Sequence, residues 1–343
     1  MAQPATAAPS ALPPLAISLG DPAGVGPELI AAAWALRESA ALPPFFVAQG
    51  AGLLADAAEQ RGLEIAIAPI TDPADAQAAF ADALPVLGTG DGPYRPGNPD
   101  GAGAQLALSS LTLATELALS GAASGLVTGP IAKALLAQVG FRHPGQTEFV
   151  AEAGRVSAQD AVMLLAGPSL RTVPLTVHCA LAEVPGLLSA DLIRRRSEIA
   201  ARGLASDFGI SNPRLAICAL NPHAGEGGRF GREEALVIAP AIAALREMGI
   251  DASGPHPADS LFSPHLRDSF DVAICMYHDQ ALIPLKALDF DHGVNMTLGL
   301  PIVLTSPDHG TAFAIAGTGA ADPGAMIAAI GMAGEAAARR AAT

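Results

Sequence analysis

Short apolar runs alternate with Ala- and Leu-rich stretches along almost the whole chain, and this alternation is what most constrains the fold. The runs that predict strands are residues 15–20, 45–50, 125–130, 161–167, 171–181, 214–222 and 271–279. The stretches that predict helices are residues 27–39, 51–62, 105–121, 131–140, 190–206, 232–248 and 323–340. Strand–helix alternation predicts an α/β protein with a largely parallel sheet that helices cover on both faces.

The chain has 343 residues, which is too long for most single cores and fits two domains of ordinary size. Residues 1–14 are rich in Ala and Pro and lack the basic and apolar regions of a signal peptide. We therefore expect a flexible N-terminal tail ahead of the first strand.

The formal net charge is −14, which repels nucleic acid and anionic membranes, so neither is expected as a partner. An anionic substrate would need local positive groups. The cysteines Cys179, Cys218 and Cys275 are odd in number and lack CxxC spacing, which argues against a disulfide framework or a thiolate zinc site. Buried thiols in a cytoplasmic protein are the expected reading.

Three of the eight histidines, His178, His223 and His278, lie at or just past the ends of predicted strands. Ligands of parallel α/β sheets bind beyond the carboxyl ends of the strands. Three imidazoles that converge there would form a divalent-metal site with positions open to substrate. Asp279 is a candidate partner that orients an imidazole. The alternatives are solvated histidines at the rim of the sheet and a strand-end cap by Asp279.

Further polar candidates follow these strands. Lys286 could return to the same pocket and act as an acid or base, although most lysines are simply solvated. In the stretch PGQTE, Gln146 and Thr147 could donate hydrogen bonds to a substrate; the alternative for Thr147 is an N-cap of the next helix.

Two glycine-rich loops precede helices, at residues 20–28 and 221–234. In the first, GDPAGVGPE, the glycine spacing differs from GxGxxG, so the standard dinucleotide fingerprint is absent. This loop could present a helix N-terminus to an anion. The alternative for both loops is tight-turn geometry that only glycine permits.

Seven ordered motifs span nearly the whole chain: GDPAGVGPE, VTGPIAK, HPGQTEFVAE, NPHAGEGGRFGREE, MYHDQALIPLK, GVNMTLGLP and TSPDHGTAFAIAGTG. Together they resemble the 4-hydroxythreonine-4-phosphate dehydrogenase family of pyridoxal-phosphate biosynthesis. The resemblance implies two α/β domains with a cleft between them, as in isopropylmalate dehydrogenase. Residues 15–138 plus 290–343 would form the cofactor side, and residues 139–289 the metal, substrate and dimerisation side. It also implies a homodimer whose active site is shared across the interface.

The resemblance assigns roles to individual residues. The metal ligands of the family fall on His178, His223 and His278. The substrate-binding residues fall on Thr147, Lys286 and Asn295, with Gln146 and His292 as further candidates. The stretch from Asp308 to Ile327 is similar to the adenosine-binding loop of isopropylmalate and isocitrate dehydrogenases. It implies cofactor contacts to NAD or NADP at His309, Gly310, Thr311 and Gly317.

Some positions differ from the family pattern. Gln146 replaces a histidine, His292 and Leu304 each replace an arginine, and Ala314 replaces an aspartate of the related cofactor loop. The arginine expected at position 304 would hold a substrate phosphate through charge-assisted contacts, which leucine cannot make. Such a lost contact is worth on the order of 1.5–3 kcal/mol.

The expected function is metal- and NAD(P)-dependent oxidation and decarboxylation of 4-(phosphooxy)-L-threonine, with Zn, Co or Mg as the cation. Lys286 is the expected base and Asp279 its catalytic neighbour. One alternative is a related dehydrogenase that oxidises a non-phosphorylated hydroxy acid or a dihydrodiol carboxylate, which Leu304 favours. A second is a metal-dependent hydrolase or lyase that uses no nicotinamide. The sequence leaves open the metal, the choice of NAD or NADP, and the identity of the base.

Overall fold

The computed structural model describes residues 12–342; most of the predicted tail, residues 1–11, lies outside the described residues. Its strands are β1 Leu15–Ser18, β2 Phe45–Ala48, β3 Ile67–Ile70, β4 Leu84–Leu87, β5 Leu126–Thr128, β6 Val162–Ala166, β7 Arg171–Pro174, β8 Leu215–Cys218, β9 Ala252–His256, β10 Val272–Cys275, β11 Val294–Leu298 and β12 Leu304–Pro307. All of them belong to one sheet, in the order β3-β4-β2-β1-β5-β12-β11-β6-β7-β10-β8-β9.

Helices cover the sheet. They are α1 Gly26–Ala35, α2 Ala51–Gln60, α3 Ala76–Ala79, α4 Gly101–Ser120, α5 Lys133–Gln138, α6 Gln146–Ala153, α7 Val184–Leu187, α8 Ala190–Phe208, α9 Ala239–Glu247, α10 Ala258–Leu261, α11 His278–Asp289 and α12 Gly324–Ala341. The predicted α/β class is therefore confirmed. Within residues 12–342, no helix is long and apolar enough to cross a membrane.

The sheet contains two blocks of parallel strands that run in opposite directions. One block is β3-β4-β2-β1-β5-β12, and the other is β7-β10-β8-β9. Between them, β11 runs antiparallel to both β12 and β6, and β6 runs antiparallel to β7. The strands that precede His178, His278 and His223 are β7, β10 and β8, which are parallel neighbours. Their carboxyl ends therefore meet at one edge of the sheet, as predicted.

The strands are short because polar and constrained residues end them early. The run predicted as a strand to residue 181 ends at Pro174, after which the chain turns toward His178. The run predicted to residue 279 ends at Cys275, and His278 begins α11 instead. There the Gln280 side chain accepts a hydrogen bond from the Met276 backbone N–H at 2.7 Å. A side chain of the following helix thus satisfies the backbone N–H of the first residue after the strand.

The predicted division into two domains remains a prediction. Residues 15–138 and 290–343 contribute β1–β5, β11 and β12, and residues 139–289 contribute β6–β10. These two sets occupy separate halves of the order of strands, but they are joined in one continuous sheet.

One buried ion pair links the two segments. The carboxylate of Asp207, at the end of α8, is fully buried and binds the Arg340 guanidinium of α12 in a bidentate manner, with N–O distances of 2.7 and 2.8 Å. Arg339 also donates to the Asp207 backbone oxygen at 3.0 Å. The pair fixes the ends of two helices that pack against each other.

We expect Asp207→Asn to lower the free energy of unfolding by about 1–3 kcal/mol, because it removes the carboxylate charge that binds the partly buried Arg340 guanidinium through two hydrogen bonds. Urea unfolding measures this. The matched control is Glu335→Gln, which removes an exposed carboxylate 3.1 Å from Arg339 and should cost less than about 0.5 kcal/mol. Equal losses in the two variants would contradict the assignment.

Candidate active site

A cleft with a volume of about 450 Å³ opens over the middle of the sheet. Met163 and Leu165 of β6, Asn295 and Thr297 of β11, and Leu304 of β12 form its floor. Side chains of a strand alternate between its two faces. The intervening residues, such as Met296, therefore point to the opposite face, where they are fully buried in the main core. The same strands thus supply both the core and the cleft.

Polar side chains from six other segments surround this floor. They are Lys133, Gln146, Thr147, Glu148, His178, Arg196, His278, Lys286, Asp308 and His309. The structure therefore brings together most of the residues that the sequence singled out: two of the histidines, Lys286, Asn295, and the Gln146–Thr147 pair.

The positive charge of the cleft stands out against the acidic chain. Lys133 and Lys286 are the only two lysines in the sequence, and both line the cleft together with Arg196. The rest of a chain with a net charge of −14 repels anions. A cleft that collects both lysines is therefore suited to an anionic ligand.

His178 and His278 lie side by side, with ring centroids 6.0 Å apart. His278 Nδ1 is 2.7 Å from the Asp279 carboxylate, so the predicted orienting contact is present. Its other ring nitrogen makes no hydrogen bond to the described residues and remains available to a ligand. His178 has a φ of +50°, a left-handed conformation that costs a non-glycine residue on the order of 1 kcal/mol.

Desolvation lowers the pKa of His178, as do the nearby Lys133 and His278, while Glu148 opposes the shift. A lowered pKa keeps this imidazole neutral at neutral pH. The neutral form is the one that binds a metal ion. The surroundings of His178 therefore suit a metal ligand.

His223 does not join this pair within the chain. It is exposed, has a φ of +54°, and begins a left-handed run through Gly227. Its ring lies 6.3 Å from that of Phe230. Among residues 12–342, no three His, Cys, Asp or Glu side chains are arranged to hold a metal ion. A single chain brings together two of the three predicted ligands.

The remaining predicted substrate residues have defined contacts. Lys286 Nζ forms an ion pair with Asp308 Oδ2 at 3.2 Å. Thr147 lies inside α6, whose N-cap is Gly145, and its Oγ1 is 3.3 Å from Thr297 Oγ1. The N-cap alternative for Thr147 is therefore wrong.

Gln146 presents an acceptor to the cleft. Its Nε2 donates to the Gly129 oxygen at 3.0 Å, whereas its Oε1 is buried without a partner. The Gln146 amide N–H, which was expected to donate to a substrate, thus already donates to Gly129. A ligand N–H or O–H group would satisfy the orphaned oxygen.

The predicted cofactor residues separate into two groups. His309 and Gly310 are exposed at the rim of the cleft. Thr311 and Gly317 instead pack against the loop 20–28, since the Thr311 oxygen accepts from Val25 N–H at 2.9 Å and Gly317 N–H donates to Glu28 at 3.0 Å.

The glycines of the loop 20–28 serve close backbone packing. A Cβ at Gly24 would lie 2.8 Å from the Thr311 oxygen, and one at Gly20 would lie 2.7 Å from the Pro130 oxygen. The tight-turn alternative accounts for this loop. His292 lies outside the cleft, on an exposed turn next to Gly324 at the start of α12.

Sequence reasoning missed Lys133, Glu148, Arg196 and Asp308. The scarcity of lysine could have pointed to Lys133, because a chain with only two lysines does not rely on lysine for its surface charge. Arg196 carried no signal, since it ends a run of three arginines on a helix.

Comparisons with known proteins agree along most of the chain. The family model described as "Pyridoxal phosphate biosynthetic protein PdxA" matches residues 41–333. A protein of Erythrobacter litoralis named 4-hydroxythreonine-4-phosphate dehydrogenase is 66% identical, over 96% of this chain and 98% of that protein. A protein of the same name from Caulobacter vibrioides is 53% identical, over 95% and 98% respectively.

Solved structures agree as well. The 4-hydroxythreonine-4-phosphate dehydrogenase of Klebsiella pneumoniae matches with a TM-score of 0.84 and 36% identity, over 96% of this chain and 99% of that one. A terephthalate 1,2-cis-dihydrodiol dehydrogenase of Burkholderia xenovorans matches with a TM-score of 0.63 and 29% identity, over 92% and 96%. By the family model and these relatives, the chain belongs to the PdxA family of pyridoxal phosphate biosynthetic proteins.

Proposed function

We propose that this chain is a 4-hydroxythreonine-4-phosphate dehydrogenase, which oxidises 4-(phosphooxy)-L-threonine with NAD or NADP. Loss of CO2 then gives 3-amino-2-oxopropyl phosphate for pyridoxal 5'-phosphate synthesis, in a cytoplasmic homodimer. The observation that carries the proposal is one cleft lined by both lysines, Arg196 and a histidine pair. Close relatives of nearly full length carry the same name.

The histidine pair fits a divalent cation in part. His178 and His278 would hold it, and the third ligand, His223, would be completed across the homodimer that the family resemblance implies. A cation bound there supplies Lewis acidity toward the substrate hydroxyl and the ketone formed from it. The neutral state of His178 and the Asp279 contact to His278 both support this assignment.

Lys286 is the proposed acid–base group. In its deprotonated form, Lys286 would take up the proton of the hydroxyl group that is oxidised, and a bound nicotinamide would supply the acceptor for the hydride from the carbon that bears this hydroxyl. Asp308, 3.2 Å from Nζ, holds the resulting ammonium at the cleft wall. After the carboxylate leaves as CO2, the Lys286 ammonium would return a proton to the carbon that carried this carboxylate.

Neutral side chains are proposed to orient the substrate. The free Oε1 of Gln146 is suited to accept a hydrogen bond from the substrate amine. Thr147 and Asn295 line the same cleft and provide a hydroxyl and an amide. The exposed His309 and Gly310 are proposed to contact the adenosine part of the cofactor at the rim.

A second candidate function is oxidation of a non-phosphorylated dihydrodiol carboxylate. Two observations favour it: Leu304 makes part of the floor apolar, and the dihydrodiol dehydrogenase structure shares the fold. Its identity to this chain, 29%, is lower than the 66% of the relative named 4-hydroxythreonine-4-phosphate dehydrogenase from Erythrobacter litoralis.

Steady-state assays of reduced nicotinamide separate the two candidates. We expect kcat/KM for 4-(phosphooxy)-L-threonine to exceed that for 4-hydroxy-L-threonine by tenfold or more, since the cationic cleft favours the dianionic phosphate. A cis-dihydrodiol carboxylate is the third substrate in the same assay. Equal kcat/KM values for the first two would reject the phosphate assignment.

We expect His178→Ala to lower the bound divalent metal of the purified protein by at least tenfold, as measured by elemental analysis after dialysis with Zn²⁺. The matched control is His265→Ala, which removes an exposed imidazole that does not line the cleft. Unchanged metal content in His178→Ala would remove this residue from the proposed site.

We expect Lys286→Met to reduce kcat by roughly 10²–10⁴-fold, the usual contribution of a general acid–base group. Lys133→Met is the comparison, because it removes the other cleft ammonium. That variant should mainly raise KM, since Lys133 has no proposed proton-transfer role. If the two variants lose kcat equally, Lys286 acts only through its charge.

A further inference from the structure

Arg196 is a charged side chain that the proposed reaction does not yet use. It extends from α8 into the wall of the cleft, whose lining also includes Ala158, Ala161 and Met163. Its Nη1 donates to the Leu175 oxygen at 2.8 Å, while its Nε is buried without a partner. A guanidinium has five N–H donors, so most of them lack a partner in the described chain.

The other two arginines of the same run are fully paired. Arg194 contacts Asp191 and Glu198, and Arg195 binds Asp160 through two contacts of 2.6 and 2.7 Å. Within residues 12–342, no carboxylate lies within 4.0 Å of the Arg196 guanidinium. Burial lowers the pKa of Arg196, although an arginine still carries its charge at neutral pH.

The nearby Asp160 raises the pKa of Arg196 but is itself bound by Arg195 through two hydrogen bonds, so Arg196 has no directly bonded counter-charge. A partly buried cation in that state is costly unless a ligand supplies a counter-charge. The lining of the cleft shows which ligand groups can do so. Lys286 is already paired with Asp308, and Leu304 adds no charge to the floor. Arg196 therefore provides a planar guanidinium without a bound carboxylate in the cleft. Two parallel N–H donors of a guanidinium can bind two oxygens of one phosphate.

We propose that Arg196 is a specificity-determining residue that binds the phosphate of the substrate at its end of the cleft. This inference rests on the proposed function and deepens it. It places the phosphate beside Ala158, Ala161 and Met163, and the reacting carbons toward the histidine pair and Lys286.

The register of the strands supports this placement. Met163 pairs with Thr297, and Leu304 is the residue next to Thr305, which pairs with Met296. Leu304, Thr297 and Met163 thus form one row across three strands, which spans roughly 10 Å at about 4.8 Å per strand. Arg196 bonds to the oxygen of Leu175, which directly follows β7, and β7 pairs with β6 on the side away from β11. Arg196 therefore lies toward the Met163 end of this row, and Leu304 is at the other end. A phosphate bound by Arg196 therefore leaves Leu304 in contact with apolar parts of the substrate.

The test is the variant Arg196→Met, which keeps the stem and removes the fork. We expect KM for 4-(phosphooxy)-L-threonine to rise about tenfold to hundredfold, with kcat within about threefold. The kcat/KM for 4-hydroxy-L-threonine should not change. The inhibition constant of inorganic phosphate should rise with KM, and Arg196→Lys should recover part of the loss because it retains the charge.

The matched control is Arg194→Met, which removes an arginine of the same helix whose partners lie outside the cleft. It should leave all of these constants unchanged. An unchanged KM in Arg196→Met, or an equal loss with both substrates, would overturn the inference. If Arg196→Met does not fold, Arg196→Lys decides instead, with an intermediate rise in KM expected and no rise contradicting it.

Phosphate binding separates this inference from the proposed function. If the wild-type enzyme does not oxidise 4-(phosphooxy)-L-threonine, the proposed function fails. Titration with inorganic phosphate then decides the role of Arg196 alone. If the wild type binds inorganic phosphate and Arg196→Met binds it at least tenfold more weakly, the phosphate site at Arg196 is supported. If both proteins bind phosphate equally, this site is rejected.

Discussion

The antiparallel pairing of β11 with both of its neighbours holds this molecule together. Five registered pairs join β11 to β6, and three join it to β12. Because the two parallel blocks run in opposite directions, they form one sheet only through this seam and the antiparallel β6–β7 pair beside it. A slip of one residue would turn Asn295 and Thr297 into the core and Met296 into the cleft. The seam therefore specifies the core and the cleft floor together.

Much of the local structure was predictable from the sequence, because it depends on neighbouring residues. The apolar periodicity located the long helices α4, α8 and α12 and seven strands, namely β1, β2, β5, β6, β7, β8 and β10. It missed β3, β4, β9, β11 and β12. The position of three histidines after β7, β8 and β10 also followed from the order of apolar runs. Short strands with little apolar character, such as β9 with the sequence ASGPH, gave no comparable signal.

The rest of the site depends on contacts between distant segments or on backbone conformations that side-chain patterns do not encode. His223 begins a left-handed run and does not line the cleft that contains His178 and His278, although all three residues follow parallel strands. Likewise, three successive arginines on a helix point about 100° apart, so one of them faces inward. Which one does so depends on the packing of α8 over the ends of β6 and β7.

The position of the two lysines has a practical consequence for solution chemistry. Apart from an α-amino group, Lys133 and Lys286 are the only primary amines that the sequence provides. Amine-directed reagents, such as acylating agents or isotope-labelled formaldehyde with a reductant, would thus modify the cleft and leave the remaining side chains unlabelled. Two ¹³C-methylated amines would report on ligand binding in an NMR spectrum free of surface-lysine signals. Because this acidic chain has only two lysines and both line the cleft, amine chemistry labels the cleft selectively.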